Sequence, residues 1–192
     1  ISNISFDHGG KRLAFDIGVA NMLLNHLCNP IGVPYDPEGS RARAGRLNPG
    51  LLKALDALPY YDRPFPKSTG YEWFRDAILP LLDRFPDRPE NQLHTAVQHI
   101  AGQISRQIQE LANKGYVLVT GGGALNNYLI EVLQERLGPA YRIELPSSEL
   151  ISFKEALIFA FLGALRLQGC TNVLASVTGA TRDSCSGVVY EP

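Results

Sequence analysis

One segment constrains the fold of this chain more than any other: Tyr116–Thr120 (YVLVT), followed at once by Gly121-Gly122-Gly123 and then by a helical pattern from about Leu125 to Leu137. An apolar run that is continuous rather than alternating suits a strand buried on both faces. Consecutive glycines are costly in backbone entropy, and their bare backbone admits the close approach of a flat ligand. A strand that passes through such a turn into a helix belongs to a domain in which helices lie on a sheet. The spacing is neither G-x-G-x-x-G nor a Walker A loop, which needs a following Gly-Lys-Ser/Thr. Two readings therefore stay open for VLVTGGGALNNYL. It is a flexible strand–helix turn, or it is a nucleotide segment in which Gly121, Gly122 and Gly123 face the ligand and Asn126 and Asn127 reach a ribose or a base.

The neighbouring segments support an α/β reading. Ser2–Phe6 and Arg12–Asp16 flank Asp7-His8-Gly9-Gly10-Lys11, a predicted β-hairpin. Ala20–Leu27 has helical apolar spacing, and Asn29–Arg46 reads as a loop rich in Pro, Gly and charge. Asn48-Pro49 predicts a helix start carrying Leu51, Leu52, Leu55 and Leu58. Ser68 or Thr69 is placed to cap a helix running to about Leu82, with Glu72 completing a capping box. From about Asn91 to Lys114 apolar residues step by three or four, with Gly115 expected to end that helix. Ala140–Leu145 reads as a strand and Phe153–Leu167 as a strongly apolar helix, which leaves a small, polar tail. The order predicts one domain with a mixed sheet flanked by helices.

Three further segments could carry chemistry. In LAFDIGVANML, Leu13–Leu23, a strand delivers Asp16 to its end and Gly18 allows a tight turn into a helix. Backbone N–H groups and a helix N-terminus at such a turn favour phosphate, and Asp16 could hold a hydrated Mg²⁺ there. The alternative is that Asp16 caps the helix and Gly18 only turns the chain. Lys67, in RPFPKSTGYEWF, could meet a phosphate or carboxylate, or be a surface lysine beside a helix cap. Glu155 is read in the first turn of its helix, either as a favourable charge near the positive helix end or as an acceptor for a sugar hydroxyl. His94, His99 and the Trp73–Phe74 pair read as structural.

Composition excludes several classes. Lys and Arg number 18 against 19 Asp and Glu, with no basic stripe, so nucleic acid is not an expected partner. No run approaches the roughly 18 apolar residues of a membrane helix. Cys28, Cys170 and Cys185 read as reduced thiols. Ile1 opens within a strand pattern, so residues upstream are expected.

Taken together these segments resemble the anhydro-N-acetylmuramic acid kinase family. FDIGVANMLLN resembles its FDTGPGNMLID segment, KSTGYEWF its KSTGRExF, and VTGGGALNNYLI its CGGGAxNxxLM. FKEALIFAFLGALRL is similar to its xxEAxAFAWLA helix, and NVLASVTGATRDSCSG to its closing NxxxVTGA…GG run. The matches lie in family order across nearly the whole chain. The resemblance implies an actin-like ATPase (ribonuclease H-like) fold closing over ATP and Mg²⁺. It implies hydrolytic opening of the 1,6-anhydro bond of anhydro-N-acetylmuramic acid with phosphorylation to N-acetylmuramic acid 6-phosphate, in murein recycling, by a cytoplasmic bacterial homodimer. Carried over by position, Asp16 (also toward the metal), Gly18 and Asn21 match the phosphate side. Gly121, Gly122, Gly123 and Asn126 match the nucleotide side, and Glu155 and Lys67 fall in the substrate-side motifs. Ile17, Val19 and Ala20 depart from the family's Thr and Pro-Gly, removing one hydroxyl and stiffening the loop. The family's GTMSGTSxDG loop and its general base are absent, so residues 1–192 read as the C-terminal domain, inactive alone and partnered by its own N-terminal domain. A non-catalytic nucleotide- or sugar-binding remnant is the alternative, and another kinase or chaperone of the superfamily is a third.

Overall fold

The structure, a computed structural model, describes residues 1–190. It opens with the expected hairpin: β1 (Ser2–His8) runs antiparallel to β2 (Lys11–Gly18). Gly9 and Gly10 connect them at φ 57° and 74°. Glycine reaches that region without a Cβ clash, and the resulting turn matches the twist of the paired strands. β2 leads directly into α1 (Asn21–Cys28), which buries Leu23, Leu24 and Leu27.

The segment read as a loop holds a short helix, α2 (Ser40–Ala44). Asp36 organises it: its carboxylate accepts from the amides of Arg41 and Ala42, both at 2.9 Å. Asp36-Pro37 is itself a helix-start signal, which the loop reading passes over. α3 (Pro49–Asp56) begins as expected, with the Asn48 side chain accepting from the Leu51 amide at 3.0 Å.

The expected cap at Ser68 or Thr69 does not form, and Glu72 completes no capping box: the helix starts at Tyr71 after an extended Gly70, with no side-chain cap. The reason is tertiary. The Thr69 amide donates to Asp16, 53 residues away, so this segment stays extended beside β2. α4 (Tyr71–Trp73), a π-helical turn (Phe74–Ile78) and α5 (Leu79–Arg84) then follow without a break. In a regular α-helix the Pro80 ring would meet the carbonyl four residues back, and the wider turn before it makes room.

α6 (Pro89–Leu111) is the spine. Its Leu93, Val97, Ile100 and Ala101 form one core with Leu23 and Leu27 of α1, Leu51 and Leu55 of α3, and Leu129 and Leu133. The helix ends at Leu111 with Ala112 extended. Gly115 is therefore no C-terminal cap and instead opens β3 (Gly115–Leu118). β3 pairs in parallel with β4 (Tyr141–Glu144) through α7 (Asn127–Leu137), a strand–helix–strand unit.

Two expectations are corrected here. Among the described residues the strands form two separate two-stranded sheets, the hairpin and the β3–β4 pair, rather than one mixed sheet. Nor is the YVLVT strand buried on both faces. Val117, Val119 and Ile143 pack against the core, while Tyr116 and Leu118 are 75% and 64% exposed. With β4 as its one strand neighbour and nothing over its outer face among the described residues, β3 buries alternate side chains only.

α8 (Ser148–Leu167) starts earlier than expected, capped by Ser147, whose hydroxyl accepts from the Leu150 amide at 3.3 Å. Glu155 therefore sits about two turns inside the helix, beyond the reach of the helix-end charge expected to act on it. α8 buries none of its residues. A last short helix, α9 (Ala175–Thr178), ties the tail to β2, with the Ser176 hydroxyl donating to the Arg12 carbonyl at 2.7 Å. Among the described residues, no helix is long and apolar enough to cross a membrane.

Candidate functional site

The end of β2 is gripped by the segment that follows α3. The Asp16 amide donates to the Lys67 carbonyl and the Thr69 amide donates to the Asp16 carboxylate, each at 3.0 Å. The Tyr60 hydroxyl donates to the Asp16 carbonyl at 2.8 Å. Burial, and then the Asp16 charge, push the Tyr60 phenol up to about 12, so it remains a donor at neutral pH. The Lys67 ammonium donates to the Tyr61 carbonyl at 3.2 Å and lies 5.1 Å above the Tyr60 ring. Burial, then the Arg106 charge, lower its pKa. Lys67 thus braces its own chain's carbonyls and aromatic rings, and it makes no approach to the glycine turn.

Gly18, at the turn itself, meets Tyr61: a Cβ there would lie 2.6 Å from the Tyr61 ring. Behind Tyr61 stands a buried polar chain. Its hydroxyl is 2.7 Å from His99 Nε2, and His99 Nδ1 is 2.6 Å from Asp56 Oδ1. Burial alone would raise the Asp56 carboxyl. Hydrogen bonds from His99 and Gln103 and the Arg136 charge outweigh it, and the net direction is down. A depressed carboxyl pKa adds stability that is fully present above the ordinary value of about 3.9 and is lost as pH falls below it. Melting temperatures of wild type and Asp56→Asn should accordingly differ by a steady offset above about pH 5, and the offset should shrink as pH falls through the depressed native pKa of Asp56. An offset unchanged down to the lowest pH would show that the Asp56 charge contributes nothing.

A cavity of about 280 Å³ opens on the other side of this turn, lined by residues that include Asn21, Tyr35, Asp36, Glu38, Gly122 and Asn126. The two strand-to-helix turns meet here, since a Cβ on Gly122 would lie 2.9 Å from the Asn21 amide nitrogen. Gly121 takes φ 78°, a conformation that favours glycine. Glu38 sits at φ 57°, a rare conformation for a residue with a Cβ. Asn126 caps α7: its Oδ1 accepts from the Leu129 amide at 3.0 Å, with the side-chain nitrogen beside the cavity lining.

The structure therefore gathers Asn21, Gly122 and Asn126 around one cavity, with Gly121 and Gly123 in the same turn, and holds Asp16, Gly18 and Lys67 in the clamp beside it. Glu155 is exposed. Its neighbour Lys154 donates to Thr120 Oγ1 at 2.9 Å, which lays α8 beside the glycine turn. A larger, shallow depression of about 540 Å³ lies elsewhere, between Arg46 and Arg88. Asn91 there donates to Asp87 and accepts from the Arg46 amide, and none of the expected site residues lines it. Sequence reading missed Tyr35, Asp36 and Glu38, which Asp36-Pro37 could have signalled. It also missed the Tyr60–Tyr61 brace, and no local pattern announces that His99 is joined to two residues some 40 positions upstream.

Two strand-to-helix turns that converge on one cavity define an α/β protein with a candidate cleft between them. Comparison with known proteins then narrows the class. The family model for anhydro-N-acetylmuramic acid kinase matches residues 1–192, and the chain belongs to that family. An anhydro-N-acetylmuramic acid kinase of Streptomyces coelicolor is 37% identical over 94% of this chain and 48% of its own length. Proteins of the same name from Aliivibrio fischeri and Hydrogenovibrio crunogenus are 33% and 34% identical over 99% and 100% of this chain. The chain spans about half the length of these relatives, 48–54%. That span carries the family, and it does not by itself carry the C-terminal placement expected above.

Proposed function

We propose that this chain is the nucleotide-binding part of a kinase that hydrolytically opens 1,6-anhydro-N-acetylmuramic acid and phosphorylates it. The observation that carries the reading is the meeting of the Asn21 turn and the Gly121–Gly123 turn around one cavity. Two helix N-termini behind such turns favour anionic phosphate. Asn21, the glycine backbone and the Asn126 amide nitrogen would hold ATP. Asp16 fits a magnesium ion held mainly by phosphate and water: one carboxylate oxygen accepts from Thr69 and the other makes no hydrogen bond among the described residues. No cluster of three or more potential ligands exists among them, and magnesium is commonly bound through one or two carboxylates. The ion would supply charge neutralisation of the phosphates.

The general base and the closing domain of an actin-like kinase would come from the rest of the protein. The exposed apolar faces of α8 and β3 suit burial against that remainder. A cytoplasmic homodimer acting in murein recycling is part of the same proposal and rests on family membership.

Glu155 would receive a sugar hydroxyl from its place on α8, beside the glycine turn. In the full-length protein Glu155→Gln is then expected to weaken sugar use by about 1.5–3 kcal/mol, with ATP affinity and melting unchanged. Unaltered sugar kinetics would remove Glu155 from the site. The function itself is tested by incubating the full-length protein with ATP, Mg²⁺ and 1,6-anhydro-N-acetylmuramic acid. Mass spectrometry should find the ring-opened sugar phosphate, heavier by one water and one phosphoryl group. ADP binding without any such product would favour the non-catalytic reading instead.

A further inference from the structure

The polar chain Asp56–His99–Tyr61 ends against the backbone of the turn that the nucleotide reading uses. Tyr61 and His99 are 3% and 1% exposed. An ionised Asp56 accepts only, so the His99 proton facing it lies on Nδ1. In the neutral ring Nε2 is then the acceptor, and the Tyr61 hydroxyl donates to it. Burial, then the Asp56 charge, raise the Tyr61 phenol and keep that proton in place. One end of the Tyr61 ring is thereby anchored. Its flanks are set by Tyr60 and Trp73, with ring centroids 5.8 and 5.7 Å away. Its Cε1 edge leaves Gly18 room for hydrogen and for nothing larger, a prospective Cβ being 2.6 Å away. Packing alone does not require this chain, since apolar residues of similar volume often fill such a space equally well. What a fully bonded polar chain adds is a single orientation.

We propose that Tyr61 is a positioning residue, a wedge under Gly18 that fixes where the Ile17–Asn21 turn presents its backbone to nucleotide phosphates, with His99 and Asp56 holding the wedge in one orientation. The proposal rests on the nucleotide reading of that turn. The test uses the full-length protein and compares Tyr61→Phe, Gly18→Ala and the double variant Gly18→Ala/Tyr61→Leu. Amide hydrogen exchange over residues 16–21 without ligand, Mg²⁺–ADP affinity by calorimetry, and melting temperature are measured for each. Tyr61→Phe should speed exchange in the turn and weaken ADP by about tenfold. Gly18→Ala should weaken it by about tenfold to a hundredfold, the range to which overpacking strain converts, and the double variant should recover most of that loss. A purely structural role lowers melting but leaves turn exchange and ADP affinity unchanged. That result, or a double variant no better than Gly18→Ala, overturns the proposal. If wild type binds ADP but phosphorylates no sugar, the functional reading falls and the wedge is still judged by exchange and ADP affinity. If wild type binds no ADP, exchange alone decides, and an unaltered turn in Tyr61→Phe rejects it.

Discussion

The isolated 192-residue chain is expected to show no measurable phosphotransfer, although it retains the cavity between the Asn21 and Gly121–Gly123 turns. Two physical terms act together. Removing a positioned general base typically costs about 10²–10⁴-fold in rate. An open half-site also leaves the phosphates in water, where electrostatic stabilisation is weak. Two of the nearby carboxylates are already engaged. Asp36 is engaged as the cap of α2 by two backbone amides, and Asp16 is bound to the Thr69 amide. Adding the separately made remainder of the protein should restore part of the rate, to a degree set by how well the halves associate. Turnover by the lone chain near that of the full-length enzyme would place the base within these residues and refute the division of labour.

Gly39→Ala should have the largest effect of any single methyl added near the cavity. Gly39 takes φ 72°, where an alanine pays about 1 kcal/mol of strain. The new Cβ would overlap the Asn126 side-chain oxygen and come within 2.8 Å of the Tyr128 Cβ. Asn126 must then give up the Leu129 amide, and losing a helix cap costs about 1 kcal/mol. With the remaining overlap the expected loss is about 3 kcal/mol, or several degrees in the melting temperature of the full-length protein. The same displacement moves Asn126 and the Tyr35–Glu38 loop, both of which line the cavity, so ADP affinity should fall too. Thermal denaturation and calorimetry on the full-length protein measure the two effects. Gly39→Ala/Asn126→Ala should recover the overlap term but not the cap. A Gly39→Ala protein that melts and binds ADP like wild type would mean that α2 and α7 do not meet here.

Local physics made much of this legible in the sequence. Gly9-Gly10 between two short apolar runs specified the hairpin, and Asn48-Pro49 specified the start of α3. The three- and four-residue spacing of Leu93, Val97, Ile100 and Ala101 specified the buried face of α6. The misreadings share one cause, which is that distant partners outvoted local preference. Thr69 is an able helix cap, but its amide is taken by Asp16. YVLVT suits a strand covered on both faces, but among the described residues only the face carrying Val117 and Val119 is covered. Glu155 lies inside its helix because Ser147, a better cap, begins that helix earlier. The candidate site divided along the same line. Glycine turns and the Asp-x-Gly strand end are local signals and were readable. The Asp56–His99–Tyr61 chain joins residues 38 and 43 positions apart, and no spacing rule links them.

The central claim is that the turn after β2 and the turn after β3 together form one nucleotide site. Amide hydrogen exchange of the full-length protein with and without Mg²⁺–ADP tests it most directly. The account predicts that ligand slows exchange both at Ile17–Leu24 and at Thr120–Tyr128, while the depression between Arg46 and Arg88 is unaffected. Protection confined to one of the two turns, or centred on residues 44–46 and 87–91, would contradict it.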